Sequence, residues 1–298
     1  MPKAPRTFDT MHEPMDETPL LPASPEALAE VLSGPRPDAT LIGLDGGYLA
    51  FFLARLSMAV AGPLVVVVPD AQRAGLLEDG LAFFLGRHGH VHLFAAYDHL
   101  PFSGMSPTRT QTLLRMSALA RLAEGRRGIP ARGDVIIVPA PALIDRLPPP
   151  RHIDSNRVEL KAGSVIERES FIAFLVATGH HRVPSVEDVG SFAIRGELFD
   201  VWPVLSDEPI RIELFDDEVE RLRPFDPATQ QSAGAPIPNL VITPAREVAL
   251  SAETLSLAKG RLNELFDERH VPSSRLRALL SDLEHHIIGR EPGVPHDR

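Results

Sequence analysis

The 298-residue sequence predicts an α/β protein, with a helix-covered parallel sheet over the first half and a smaller α+β unit inserted after it. Three observations lead there. Short, almost continuously apolar runs such as Leu64-Val65-Val66-Val67-Val68 and Val135-Ile136-Ile137-Val138 recur between helical patterns. Strands shielded on both faces by crossover helices read this way. Pro148-Pro149-Pro150 then interrupts the pattern. Beyond it, three short strands follow one another without an intervening helix, as in antiparallel hairpins.

Residues 1–22 hold five prolines (Pro2, Pro5, Pro14, Pro19, Pro22) and few large apolar side chains, and read as a disordered lead. Ser24-Pro25-Glu26-Ala27 is a helix start, with Ser24 as cap and proline at the first helical position. Ala39–Leu44 reads as a buried strand, Gly47–Ala61 as a helix and Pro63–Val68 as a second strand. Ala71–Gly86 reads as a helix and His90–Ala95 as a strand. Thr108–Glu124 is a strong helix, with Leu113, Met116, Leu119, Ala120 and Leu122 at helical spacing. Asp134–Val138 is another strand and Ala140–Leu147 a short helix. The proline triplet marks a boundary, since proline removes a backbone donor and fixes φ.

In the second unit Arg157–Leu160 is a short strand, and Glu167–Thr178 a helix ended by Gly179. Ser191–Arg195, Leu198–Pro203 and Ile210–Phe215 are strands, followed by Glu218–Arg223. Gly234–Pro238 closes the unit, and Leu240–Ile242 is a strand expected to return to the first sheet. Glu253–Phe266 and Pro272–Ile288 read as two helices rich in leucine and charge. The chain divides at these marks into a lead (1–22), a first domain (23–150), an inserted domain (151–238) and a return segment (239–298). It contains no internal repeat.

Composition excludes several function classes. Thirty basic and forty acidic residues give a net charge of −10, a poor match for a module that grips nucleic acid. The surplus is uneven: residues 1–150 carry 13 basic and 15 acidic groups, net −2, and residues 151–298 carry 17 and 25, net −8. With no cysteine there is no disulfide scaffold, thiolate zinc site or cysteine nucleophile. The longest apolar run, Gly62–Pro69, is far shorter than the roughly 20 residues that span a bilayer. The N-terminus lacks a signal-peptide core, so a cytoplasmic protein without membrane contact is expected.

The motifs divide into weak and informative ones. Thr40-Leu41-Ile42-Gly43-Leu44-Asp45-Gly46-Gly47-Tyr48-Leu49-Ala50 sits where a phosphate-binding loop would open a helix. Laid from Gly43, the template places Tyr48 at the second glycine, Leu49 at the lysine and Ala50 at the hydroxyl. The cation for phosphate and the magnesium ligand are thus both missing. Phe215-Asp216-Asp217-Glu218 has the look of a metal-holding acid pair but faces no competent loop, and reads as a solvated strand end and turn. His88-x-His90-x-His92 places three imidazoles on one strand face without a neighbouring acid or cysteine, and reads as surface histidines. His180-His181 and His285-His286 point to different faces, and no G-x-S-x-G elbow is present. Arg121, Arg126, Arg127 and Arg132 form a basic cluster. It reads as helix-dipole complement and solubility, or as a nucleic-acid backbone contact.

Arg195-Gly196-Glu197 falls at the tip between two strands, with Phe199 and Trp202 nearby and Arg182, Arg211 and Glu213 expected on the same sheet or its rim. Arginine, acid and aromatic together are the composition of a protein–protein surface, and equally of a hairpin turn with a strand salt bridge.

Leu100-Pro101-Phe102-Ser103-Gly104-Met105-Ser106-Pro107, the helix carrying Arg115, and Asp134 to Pro139 resemble the N-terminal region of the bacterial transcription-repair coupling factors. So does Phe192 to Asp226, with Arg-Gly-Glu-Leu-Phe-Asp-Val-Trp-Pro from Arg195 and Glu-Leu-Phe-Asp-Asp-Glu-Val-Glu-Arg-Leu-Arg-Pro-Phe-Asp-Pro from Glu213. That region is itself similar to the excision-repair subunit UvrB. The resemblance runs from about residue 24 to the end and implies a helicase-like parallel-sheet domain whose phosphate loop is degenerate. It further implies an inserted α+β domain that binds the repair protein UvrA. Under it Arg195 is the leading UvrA contact, with Arg182, Phe199, Arg211 and Glu213 around it. Gly43, Gly46, Tyr48, Leu49 and Ala50 are the expected non-functional loop. No catalysis, cofactor or metal is implied. DNA is reached indirectly through the repair complex, and RNA polymerase only through family domains that this sequence does not contain. The alternative, a nucleotide-dependent DNA enzyme of the UvrB type, lacks its lysine.

Overall fold

The computed structural model describes residues 24–34, 40–97, 107–249, 252–269 and 272–288. The disordered lead expected over 1–22 and the Leu100–Ser106 part of the resemblance lie outside them. Helix α1 (Pro25–Leu32) begins with Ser24 Oγ accepting from the Ala27 N–H at 3.1 Å and with proline at the first helical position. Then come α2 (Gly46–Ala59), β1 (Leu64–Val68), α3 (Ala71–Leu85), β2 (Val91–Leu93), α4 (Arg109–Arg126) and β3 (Val135–Pro139). The three strands are parallel in the order β1-β3-β2.

The central strand, β3, is buried throughout, because it has a neighbour on each edge and helices on both faces. Successive residues of a strand point to opposite faces. Val135 and Ile137 accordingly meet Ala54, Leu77 and Leu81 of α2 and α3, while Ile136 and Val138 meet Met116 and Leu119 of α4. A reciprocal capping box between Thr108 and Gln111 fixes the start of α4.

Three local expectations change. Within Ala39–Leu44, residues 40–44 form no strand, and Ile42 is 89 % exposed. Gly43 (φ +84°) and Gly46 (φ +53°) take left-handed conformations that turn the chain into α2, so too few extended residues are left for a ladder. The helix expected over Ala140–Leu147 contracts to a 3-10 turn, Ala140–Leu143, where Pro139 and Pro141 withhold donors. The proline triplet does not exclude a helix: Pro150 opens α5 (Pro150–Ser155) in the first turn, where no intrahelical N–H bond is lost.

The second unit contains β4 (Val158–Lys161), α6 (Arg168–Ala177), β5 (His181–Arg182), β6 (Ser191–Arg195), β7 (Leu198–Val201), β8 (Ile210–Phe215), β9 (Glu218–Pro224) and β10 (Asn239–Ile242). Strands β5 to β9 form one sheet in chain order, antiparallel except for β5–β6. Helix α6 covers its inner face, placing Phe171 and Leu175 in one core with Phe192, Phe199 and Ile212. Strand β10 does not return to the first sheet. It pairs antiparallel with β4, Leu240 opposite Leu160, because Leu240 and Ile242 bury in the core of the second unit. Helices α7 (Ala252–Glu268) and α8 (Ser273–Ile288) pack against each other.

Buried charge joins the units. Arg115 of α4 is 0 % exposed and lies between the rings of Phe94 and Tyr97, 4.1 and 4.2 Å from their centroids. It donates to the Ala95 carbonyl at 3.0 Å and to Glu247, which also accepts from the Tyr97 hydroxyl at 2.7 Å. Arg157, just before β4, donates to the buried Glu124 of α4 at 2.7 Å. Among the described residues no helix is long and apolar enough to cross a membrane.

Candidate partner-binding face

Register decides which side chains of the five-stranded sheet share a face, since directly opposed residues point the same way. One cross-strand row reads Arg195, Leu198, Glu213, Arg221; the next reads Ala193, Asp200, Arg211, Arg223. Arg195, Arg211 and Glu213 therefore come together on the outer face, joined by Arg221 and Arg223. Sequence reasoning passed over those last two, although Leu222 turned inward on β9 leaves its neighbours Arg221 and Arg223 outward; a register shift in the β8–β9 pair lets Val219 bury as well.

Two predicted contacts leave the set. Phe199 opposes Ile194 and Ile212 on the inner face, is 1 % exposed, and meets Phe171 edge-to-face at 5.5 Å. It is core, not contact surface, because the apolar inward register of β6, β7 and β8 claims it. Arg182 opposes Phe192, an inner-face residue, so it projects from the sheet edge away from the Arg195 row.

The remaining residues differ in freedom. Arg211 donates twice to the buried Asp200, at 2.7 and 2.9 Å, and stacks 4.9 Å from the Phe225 centroid. The Asp200 hydrogen bonds hold its pKa above the ordinary arginine value, and it acts as a brace. Arg195 is exposed and donates to Gln230 Oε1 at 2.8 Å. Gln230 is in turn fixed by donating to the Val186 and Pro227 carbonyls, at 3.0 and 2.7 Å. Glu213 and Arg221 face each other at 3.6 Å near the surface. Beneath this end of the face, Val186, Ala193 and Phe225 form a small core with Trp202 and Val183. The result is a charged rim of Arg195, Glu213 and Arg221 on a rigid base. Such a rim can engage a polar partner surface without ordering loops first.

In the glycine segment, Asp45 Oδ1 accepts from the Gly46 N–H at 2.8 Å, so the helix start is capped by the chain's own carboxylate. Ala50 is buried against α3, Leu49 packs at the edge of the same core, and Tyr48 is exposed beside Phe51. Asp216 and Asp217 form the turn between β8 and β9, with Asp216 at φ +53°. Groups of histidine and acid able to hold a metal ion are absent among the described residues.

The histidines separate by environment. His90 lies between two carboxylates, Nδ1 at 3.4 Å from Asp134 and Nε2 at 3.2 Å from Asp207. An imidazole can donate from both nitrogens only when protonated. The hydrogen bond to Asp134, with Asp207 adding to it, outweighs partial burial and raises the His90 pKa from 6.5 to about 9. Burial alone would push Asp134 up, but His90 and Arg121 hold it below the usual carboxylate value. Burial lowers His92 and His180 to about 4. His180 is buried and its neighbour His181 exposed, as their alternation requires, whereas the side chains of His285 and His286 lie outside the described set. The folded His90 pKa exceeds its unfolded value, so its contribution is complete below pH 6.5 and is lost as pH rises through about 9. At 56 % exposure that contribution is about 1 kcal/mol or less. Nuclear magnetic resonance should find His90 titrating well above 6.5 in the folded protein and lower in Asp207→Asn; titration at an ordinary value would remove the bridge.

Among the described residues three of the four arginines of the basic cluster are paired, Arg132 being the exception. Arg126 and Arg127 both hold Asp154, at 2.8 and 3.2 Å, and Arg121 bonds Asp134 and the Pro130 carbonyl.

Residues 158–248 match the UvrB interaction domain, a span that opens on β4 and closes just past β10. The chain is 34% identical over 252 residues to the transcription-repair-coupling factor of Myxococcus xanthus, covering 83% of this chain and 20% of that protein. It is 29% identical over 229 residues to the coupling factor of Escherichia coli K12, covering 77% and 19%. To the UvrABC system protein B of Thermosipho africanus it is 26% identical over 304 residues, covering 91% and 46%. The chain thus spans about a fifth of these coupling factors and under half of that B protein.

Proposed function

We propose that this chain, built around a UvrB interaction domain, is a non-catalytic adaptor that recruits UvrA in transcription-coupled nucleotide excision repair. The observation that carries the reading is the outer face of the matched domain. There exposed Arg195 and Arg221 stand in one row with the partly buried Glu213, beside the Arg211–Asp200 brace. The non-catalytic part is supported by the glycine segment. A helicase-like phosphate loop needs a lysine and a hydroxyl beside the phosphates, and here Leu49 and Ala50 fill those positions and pack into the core. DNA is then met through the repair complex, and RNA polymerase through parts of the coupling factors outside the matched fifth. The setting is cytoplasmic.

The test is binding of the purified chain to UvrA by pull-down and titration calorimetry. Arg195→Ala should weaken it about thirtyfold, the effect of losing about 2 kcal/mol at an interface anchor, while Tm stays unchanged. Undiminished binding would take Arg195 out of the contact, and failure of the wild-type chain to bind UvrA would overturn the adaptor role.

A further inference from the structure

A pocket of about 350 Å³ lies where β2 and β3 begin, walled in part by Arg87, His88, His92, Arg121, Arg132 and Leu205. Its single carboxylate, Asp134, is already paired with Arg121 and His90. Arg87 and Arg132 are exposed and make no ion pair or hydrogen bond among the described residues. Unpaired guanidinium groups around one concave space repel each other, and an anion relieves that repulsion. Among the described residues no unpaired carboxylate lines the pocket to do so, Asp207 nearby being engaged with His90.

The rest of the wall is of another kind. Pro130, Gly89, Leu205 and the His92 ring present apolar or aromatic surface. The volume exceeds what one phosphate fills and falls at the lower end of the roughly 300–1,000 Å³ of organic-ligand sites. A second pocket of about 380 Å³ shares Pro130 and Arg132, so Arg132 stands between two cavities. Leu205 belongs to the segment between β7 and β8, so both units contribute wall.

We propose that this pocket binds a small phosphomonoester, its phosphate on Arg87 and Arg132 and its organic body against Pro130, Leu205 and His92. The site is separate from the glycine segment. Gly133, beside the pocket, donates to the Ser57 carbonyl in the last turn of α2, whereas Gly46 opens that helix eleven residues earlier, about 17 Å away. It is equally separate from the outer face of the second sheet.

Titration calorimetry at low ionic strength, with AMP, inorganic phosphate and adenosine as probes, tests this on the whole chain and on the Arg87→Ala/Arg132→Ala variant. Both arginines are exposed, so the variant should fold, and circular dichroism checks that it does. The expected result is saturable 1:1 binding of AMP that weakens at least tenfold in the variant, with no binding of adenosine. AMP binding at least fivefold tighter than phosphate assigns the remaining volume to an organic body. Equal affinity assigns the site to free phosphate and discards the organic half of the proposal. Absence of saturable binding, equal affinity in both proteins, or adenosine binding as well as AMP would overturn it.

Discussion

Arg115→Ala is expected to lower the unfolding free energy by about 3–5 kcal/mol and Tm by on the order of 10 °C, read by thermal circular dichroism. The guanidinium is fully buried between two aromatic rings and holds Glu247 and the Ala95 carbonyl. Its removal leaves a cavity and a largely buried carboxylate without its cation. A double variant separates these causes. Arg115→Met keeps the volume but strands Glu247, whereas Arg115→Met/Glu247→Met removes both charges and should recover much of the loss. If either single variant unfolds within 1 kcal/mol of wild type, the arginine is no keystone.

Gly89→Ala should be at least as damaging, with loss of about 3–5 kcal/mol in chemical denaturation or failure to accumulate as soluble protein. A Cβ there would sit 2.0 Å from the Gly133 carbonyl oxygen. The obstacle is backbone, so no rotamer relieves it. Gly133 is bound in the same way, with φ +89° and the His88 carbonyl 2.4 Å from its Cβ position. Gly128→Ala is the comparison, since its φ of +78° imposes strain while nothing lies within 4 Å. It should cost only about 1–2 kcal/mol. Equal effects at Gly89 and Gly128 would mean that the crossing of the two loops is loose.

Most elements were legible because each rests on local pattern. The valine run at Leu64–Val68 became a strand, Ser24-Pro25 a capped helix start, and Thr108–Glu124 the helix that carries Arg115. A burial signal for Arg115 was also present, since it shares a helical stripe with Met116, Leu119 and Ala123. Face assignment was harder. Arg195 and Phe199 lie four residues apart, but Gly196-Glu197 forms a tight turn that opposes Arg195 to Leu198 and Phe199 to Ile194. Reading that register would have sent Phe199 inward beside Ile194. Pairings distant in sequence left no trace at all: His90 meets Asp207 across 117 residues, and β10 chose β4 over the first sheet. The missing strand at residues 40–44 shows the opposite failure, where β propensity was present but two left-handed glycines cut the run short.

The pairing of β4 with β10 also bears on how the second unit responds to force. The chain enters through Val158 and leaves through Ile242, directly opposite each other at one end of the pair. Tension arriving from both sides would load these strands at the same end and peel them apart like a zip, one residue pair at a time. The five-stranded sheet and its charged face would stay slack until the zip had opened.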